Sequence, residues 1–175
     1  VSWARDVYKR QVLMAQVYLP SIFANMNKKV LPDYLHKYLK IGGANVPYNT
    51  DAWDGYPKER ERLFKELKKA NSVLVLTGDT HNSWLNNLYD ENNNFIGVEI
   101  GTPAISSPNT IDTFGSLTDG IEEGFIKENK NVKWTEGKHK GYTLLKLTKD
   151  KSEVSFVYVN TCLLYTSDAA DDLTR

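Results

Sequence analysis

The sequence predicts an α/β fold, on three observations. Residues 73–77 (Val73-Leu74-Val75-Leu76-Thr77) are a continuous run of β-branched and aliphatic side chains that stops at Gly78, as a buried parallel strand does. Residues 57–70 carry Leu63, Phe64, Leu67 and Ala70 at helical spacing against a charged opposite face. Strand-like and helix-like stretches alternate over short connections, the pattern of a sheet with helices packed on it.

The elements follow in order. Residues 11–17 read as a short strand, ended by Pro20. Residues 31–39 place Leu31, Leu35 and Leu39 at spacing four and predict a helix, broken at Gly42-Gly43. Residues 45–55 are a long polar and aromatic loop. Pro57 suits the first position of the helix at 57–70. Glu59, Arg60, Glu61, Arg62, Lys65 and Lys68 are expected on its solvated face. Residues 72–77 are the buried strand. A polar turn at 90–94 leads to a strand at 95–100. The small-residue loop 102–108 is suited to approach a site closely. Thr118 and the acidic run after it start a helix reaching about 128. Residues 141–148 and 153–159 alternate as half-buried antiparallel strands, joined by the polar turn 149–152. No internal repeat, low-complexity tract or linker interrupts the chain, so a single domain is expected.

Composition fits a globular piece. The 175 residues suffice for one core. Hydrophobic content of 41% and charged content of 25% are ordinary for a soluble fold. Lys and Arg number 22 and so do Asp and Glu, so no electrostatic surface for nucleic acid is expected. No apolar run approaches the roughly 20 residues of a membrane-spanning helix. The single cysteine, Cys162, offers no disulfide framework.

The most informative stretch is Thr77-Gly78-Asp79-Thr80-His81-Asn82-Ser83-Trp84. Open α/β sheets place ligands at the carboxyl ends of their strands. Here a carboxylate and an imidazole stand two positions apart on a tight turn at such an end. One oxygen and one nitrogen donor on a rigid element suit a metal or a phosphate. A plainer reading has Gly78 supplying backbone freedom and Asp79 capping the next segment. The short motif alone leaves that plainer reading ahead.

The neighbouring sequence raises the functional reading. Upstream stands Asp51-Ala52-Trp53-Asp54-Gly55-Tyr56-Pro57. Downstream stand Gly97-Val98-Glu99-Ile100-Gly101-Thr102-Pro103, then Asn131-Val132-Lys133-Trp134 and Gly141-Tyr142-Thr143-Leu144-Leu145. In this order they resemble the C-terminal part of the PhoD-like alkaline phosphatases, within the metallophosphoesterase superfamily, over residues 12–161. Residues 1–11 and 162–175 are expected to lie outside that resemblance. Both resemble translated sequencing-adaptor DNA and are set aside as non-native tails.

The resemblance implies part of an αββα sandwich, mixed sheets flanked by helices, left incomplete by a missing N-terminal half. It implies hydrolysis of phosphate mono- or diesters, with calcium and iron as cofactors. Periplasmic or secreted localisation is implied in the same way. Metallophosphoesterases generally carry Gly-His-x-His at this turn; Asp79 in place of the first histidine favours harder, oxygen-preferring ions. Asp79 is expected as a metal ligand, and His81 as a ligand or as a donor to phosphate and the catalytic group. Asn82 is a candidate second-rank support. Trp53, Asp54 and Tyr56 are candidate walls of a substrate pocket, although such clusters more often anchor a loop. Trp84 is expected to pack. Glu99 is a candidate to face the site, with a half-buried, paired carboxylate as the plainer reading. His36 and His139, among lysines, are expected to be exposed and inert.

Further metal ligands of the family belong to the half that would precede Asp79. The chain made alone is therefore expected to be inactive and unstable. Two alternatives stand beside this reading. One is a metallophosphoesterase with a nucleotide or phospholipid substrate. The other is a non-catalytic α/β binding module in which Gly78-Asp79-x-His81 is only a turn.

Overall fold

The structure, a computed structural model, describes residues 13–25 and 47–160. The helix expected at 31–39, its break at Gly42-Gly43, His36 and the two tails, 1–11 and 162–175, lie outside the described residues. Three α-helices are described: α1 (Pro57–Leu67), α2 (Thr110–Phe114) and α3 (Thr118–Glu128). Six strands are described: β1 (Leu74–Thr77), β2 (Ser83–Tyr89), β3 (Phe95–Gly101), β4 (Val132–Glu136), β5 (Lys140–Leu147) and β6 (Ser152–Val159). One mixed sheet has the order β1-β3-β2-β4, and β5 and β6 form a separate antiparallel pair. This is a mixed α/β arrangement, as expected, consistent with an incomplete sandwich.

Helix α1 begins at Pro57, with Glu59 in its first turn and Lys65 in its last, each complementing the helix dipole. It ends at Leu67 rather than Ala70. The Lys69 and Ala70 N–H groups donate to the carbonyls of Glu66 and Leu67, which tightens the last turn. Phe64 is buried, and Leu63 and Leu67 pack on the core. Arg60 is not on the solvated face. It is buried against Asp54, Nη1 to Oδ1 at 2.6 Å.

Strand β1 is parallel to β3, with Leu74 opposite Val98 and Thr77 opposite Gly101. Its expected deep burial is not found. It sits at the edge of the sheet, and Leu76 is 58% exposed. An apolar run reports only that its side chains are hydrophobic, and the pairing partners decide whether both faces are covered.

No strand is expected at 83–89, where the central strand β2 carries Asn86-Asn87, a residue type depleted in strands. Its Trp84, Asn86 and Leu88 alternate as buried residues, and it pairs antiparallel with both β3 and β4. Strand β4 was likewise not anticipated as a strand. The β5–β6 hairpin, the turn 90–94 and helix α3 fall where the sequence places them. The hairpin is wetter than expected: Leu144 and Leu147 are 54% and 63% exposed.

The expected strand at 11–17 is absent from its described part. Residues 13–17 are tied down by side chains instead. The N–H groups of Met14 and Ala15 donate to the Glu99 carboxylate at 2.5 and 3.0 Å, and that of Val17 to Asp54 Oδ2 at 2.9 Å. Leu13, Met14 and Val17 thereby join a core with Phe23, Phe64, Trp84, Leu88, Ile121 and Phe125. Phe125 stands edge-on to Tyr48 and Trp84 at centroid distances of 5.1 and 5.2 Å, the preferred arrangement of aromatic quadrupoles. No helix among the described residues is long and apolar enough to cross a membrane.

Candidate metal centre

The turn after β1 holds two residues in the left-handed region, Asp79 at φ 67° and His81 at φ 65°. Such conformations cost on the order of 1–3 kcal/mol each in non-glycine residues and persist where surroundings over-determine them. The strain lies on the two chemical residues. Gly78 is buried and has no positive φ, so it does not supply the turn's freedom.

Four contacts hold this geometry. Trp84 Nε1 donates to Thr80 Oγ1 at 2.8 Å, and the Thr80 N–H donates to the Gly78 carbonyl at 2.8 Å. The Ala104 N–H reaches the His81 carbonyl at 3.4 Å. His81 Nδ1 lies 2.7 Å from the Pro108 carbonyl oxygen. Trp84 is fully buried opposite Gly101, where a Cβ would stand 2.9 Å from the Trp84 side chain. The glycine lets the indole lie flat and reach back to Thr80.

A carbonyl oxygen only accepts, so His81 Nδ1 carries the proton. In the neutral ring Nε2 then keeps its lone pair outward. This is the usual way a protein orients a ligating imidazole. Asp79 is exposed, and no hydrogen bond or ion pair engages its carboxylate among the described residues. The turn thus presents one unengaged carboxylate and one oriented imidazole.

Asn82 is buried, and both ends of its amide meet Thr110: Nδ2 donates to Oγ1 at 2.7 Å, and the Thr110 N–H donates to Oδ1 at 3.3 Å. It thereby fixes the loop whose Pro108 carbonyl holds His81. The small-residue loop 102–108 does approach the turn, as expected. Trp84 packs, as expected, but its N–H also pins Thr80, a link with no signature in the sequence.

Trp53, Asp54 and Tyr56 stand at the start of α1. Trp53 packs against the core. Asp54 takes the Val17 N–H and Arg60, and its hydrogen bonds do not run to the turn. Burial raises its pKa, opposed by the Val17 N–H and by Arg60. Tyr56 is 38% exposed, and its carbonyl accepts the Arg60 N–H.

Glu99 is fully buried rather than half-buried. It has hydrogen bonds but no cationic partner among the described residues. Burial pushes its carboxyl above the usual range, partly offset by the Met14 N–H, the Asn86 amide and the Ala15 N–H. A groove of about 750 Å³ runs between α1 and residues 89–92, and none of its lining residues belongs to the 78–82 turn.

The profile of the PhoD-like phosphatases matches residues 3–156. The chain belongs to the PhoD-like phosphatase family. It is 37% identical to alkaline phosphatase D of Bacillus subtilis (strain 168) over 112 residues, 60% of this chain and 18% of that protein. The chain thus spans less than a fifth of the length of that relative. No solved structure matches it.

The PhoD-like phosphatases are metal-dependent, and the donors at the turn suit a metal in part. Among the described residues, the Asp79 carboxylate and His81 Nε2 have no partner. No group of three or more His, Cys, Asp and Glu placed to hold a metal ion occurs among the described residues. The pair therefore fits one side of a centre.

Proposed function

We propose that this chain is the C-terminal part of a metal-dependent phosphatase or phosphodiesterase that hydrolyses phosphate esters, with Asp79 and His81 as metal ligands. The observation that carries the reading is the pairing of an unengaged Asp79 carboxylate with a His81 ring turned by Pro108 so that Nε2 faces outward. A bound cation of this kind polarises phosphoryl oxygens and supplies a hydroxide near neutral pH.

The hard oxygen donor favours calcium and iron. His81 is the candidate catalytic group as well as a ligand, and Asn82 keeps its supporting loop in place. The remaining ligands come from the missing N-terminal half, which is the chain's principal partner. The whole protein acts outside the cytoplasm, periplasmic or secreted, on small phosphate esters.

The test is hydrolysis of p-nitrophenyl phosphate and bis-p-nitrophenyl phosphate by the full-length protein, with calcium and iron, beside Asp79→Ala and His81→Ala. Both variants are expected to lose metal-dependent activity. A folded parent that binds no metal and hydrolyses neither ester would leave the non-catalytic binding module as the reading.

A further inference from the structure

The loop between β4 and β5 packs beside the residues that follow the candidate metal turn. A Cβ at Gly137 would stand 2.7 Å from both Asn82 Oδ1 and Thr110 Oγ1. The Gly141 N–H donates to the Ala104 carbonyl at 2.9 Å, and the Ala104 N–H in turn reaches His81. Tyr158 Oη donates to Ser83 Oγ at 3.0 Å. Residues 137–141 and the strand beside them thus touch the segment 81–83 and its supporting loop at three points.

His139 stands on this loop. It is exposed as expected, but its ring is not idle. Nδ1 lies 2.8 Å from Glu136 Oε1, and the same carboxylate accepts the N–H groups of Lys138 and His139. The ring also faces Tyr158, 5.2 Å between centroids with planes 35° apart. The two lysines beside it are engaged, Lys138 by Asp119 and Lys140 by Asp112. His139 Nε2 has no hydrogen-bond partner among the described residues. A carboxylate that takes Nδ1 fixes the ring; in the site both ring nitrogens would donate, Nδ1 to Glu136 and Nε2 to the phosphate. Capping the loop would need only the two backbone N–H bonds.

We propose that His139, aimed by Glu136, is a second imidazole of the phosphate-ester site, where Nε2 donates a hydrogen bond to a non-bridging phosphate oxygen beside the Asp79–His81 turn. This rests on the phosphoesterase reading. His139 acts in binding, and the metal turn acts on the reacting phosphorus.

The test uses the full-length, metal-loaded protein with inorganic phosphate as the probe, measured by calorimetric binding and by kcat and KM for p-nitrophenyl phosphate. His139→Ala is expected to raise the phosphate Kd and the KM roughly five- to tenfold, the loss of one charge-assisted hydrogen bond, with kcat within about twofold. His139→Gln, which restores a donor, recovers part of the loss. In the wild type, phosphate is expected to protect His139 from carbethoxylation, a readout that needs no variant to fold. If His139→Ala binds phosphate as the wild type does, or phosphate gives His139 no protection while Asp79→Ala abolishes hydrolysis, His139 has no part in the site and the phosphoesterase reading stands. If Asp79→Ala leaves hydrolysis intact, that reading fails and this inference falls with it.

Discussion

Asp79 and His81 adopt a backbone conformation that neither residue favours, and the neighbours that hold them there can be removed one at a time. Thr80→Val keeps the shape of Thr80 and deletes the acceptor of the buried Trp84 N–H. An unsatisfied buried donor costs roughly 1–3 kcal/mol. Urea unfolding should show a loss in that range, together with weaker metal binding by the turn. An unchanged midpoint would mean that the turn is held without this bond.

Glu99 is the second residue whose chemistry can be read directly. Its folded pKa is raised by burial, ahead of the opposing bonds from Met14, Asn86 and Ala15. A raised folded pKa means that the folded state keeps a proton that the unfolded chain releases. The stabilisation is complete below the ordinary glutamate pKa and is lost as pH rises through the raised value. Glu99→Gln cannot titrate, so its melting temperature should fall less over that window than the wild type's. Asp90 has the opposite sign. Bonds from Asn94, then Lys68, lower its pKa. Its contribution is present above the ordinary aspartate pKa and fades as pH drops through the folded value. Parallel melting curves for wild type and Glu99→Gln from acid to neutral pH would remove the Glu99 argument.

At the scale of elements, α1 shows how a helix face is decided by its surroundings. The charged stripe 59–62 predicts solvent, yet Arg60 and Asp54 are 8% and 5% exposed and paired. Asp54 also takes the Val17 N–H, so the pair joins the helix start to the segment that enters the core. Arg60→Ala strands a buried carboxylate, and such breaks cost about 3–5 kcal/mol. Urea unfolding should show a loss of that order, and Arg60→Ala with Asp54→Asn together should lose less than Arg60→Ala alone. Strands β2 and β3 show a related limit. Asn86 and Glu99 are polar residues on the core face, hydrogen-bonded to each other at 2.9 Å. Neither is placed in the core by its own residue type; its burial follows from its partners. Helix α3 and the β5–β6 hairpin are instead legible from the periodicity of their own residues.

For the whole molecule, the governing fact is that the chain matches 18% of the length of its relative while carrying two metal-type donors at one turn. A catalytic site of the zinc type holds its ion with about three protein ligands. The 175-residue chain alone should therefore show no metal-dependent phosphatase activity above its own Asp79→Ala variant. Activity clearly above that control would mean that this chain carries a sufficient centre by itself.

Family, fold class and the turn itself were legible in the chain, because an apolar run ending in Gly-Asp-x-His and a Pro-led amphipathic helix are local patterns. Local patterns survive without a partner. The edge position of β1, the burial of Arg60 and Glu99, the bond from Trp84 to Thr80 and the Pro108 carbonyl behind His81 were not legible. Each depends on a group between 4 and 85 positions away in sequence, brought close by folding. No local periodicity encodes which of many distant polar groups will arrive. Residue types therefore fixed where the chemistry could be, and packing fixed which way its side chains face and what holds them there.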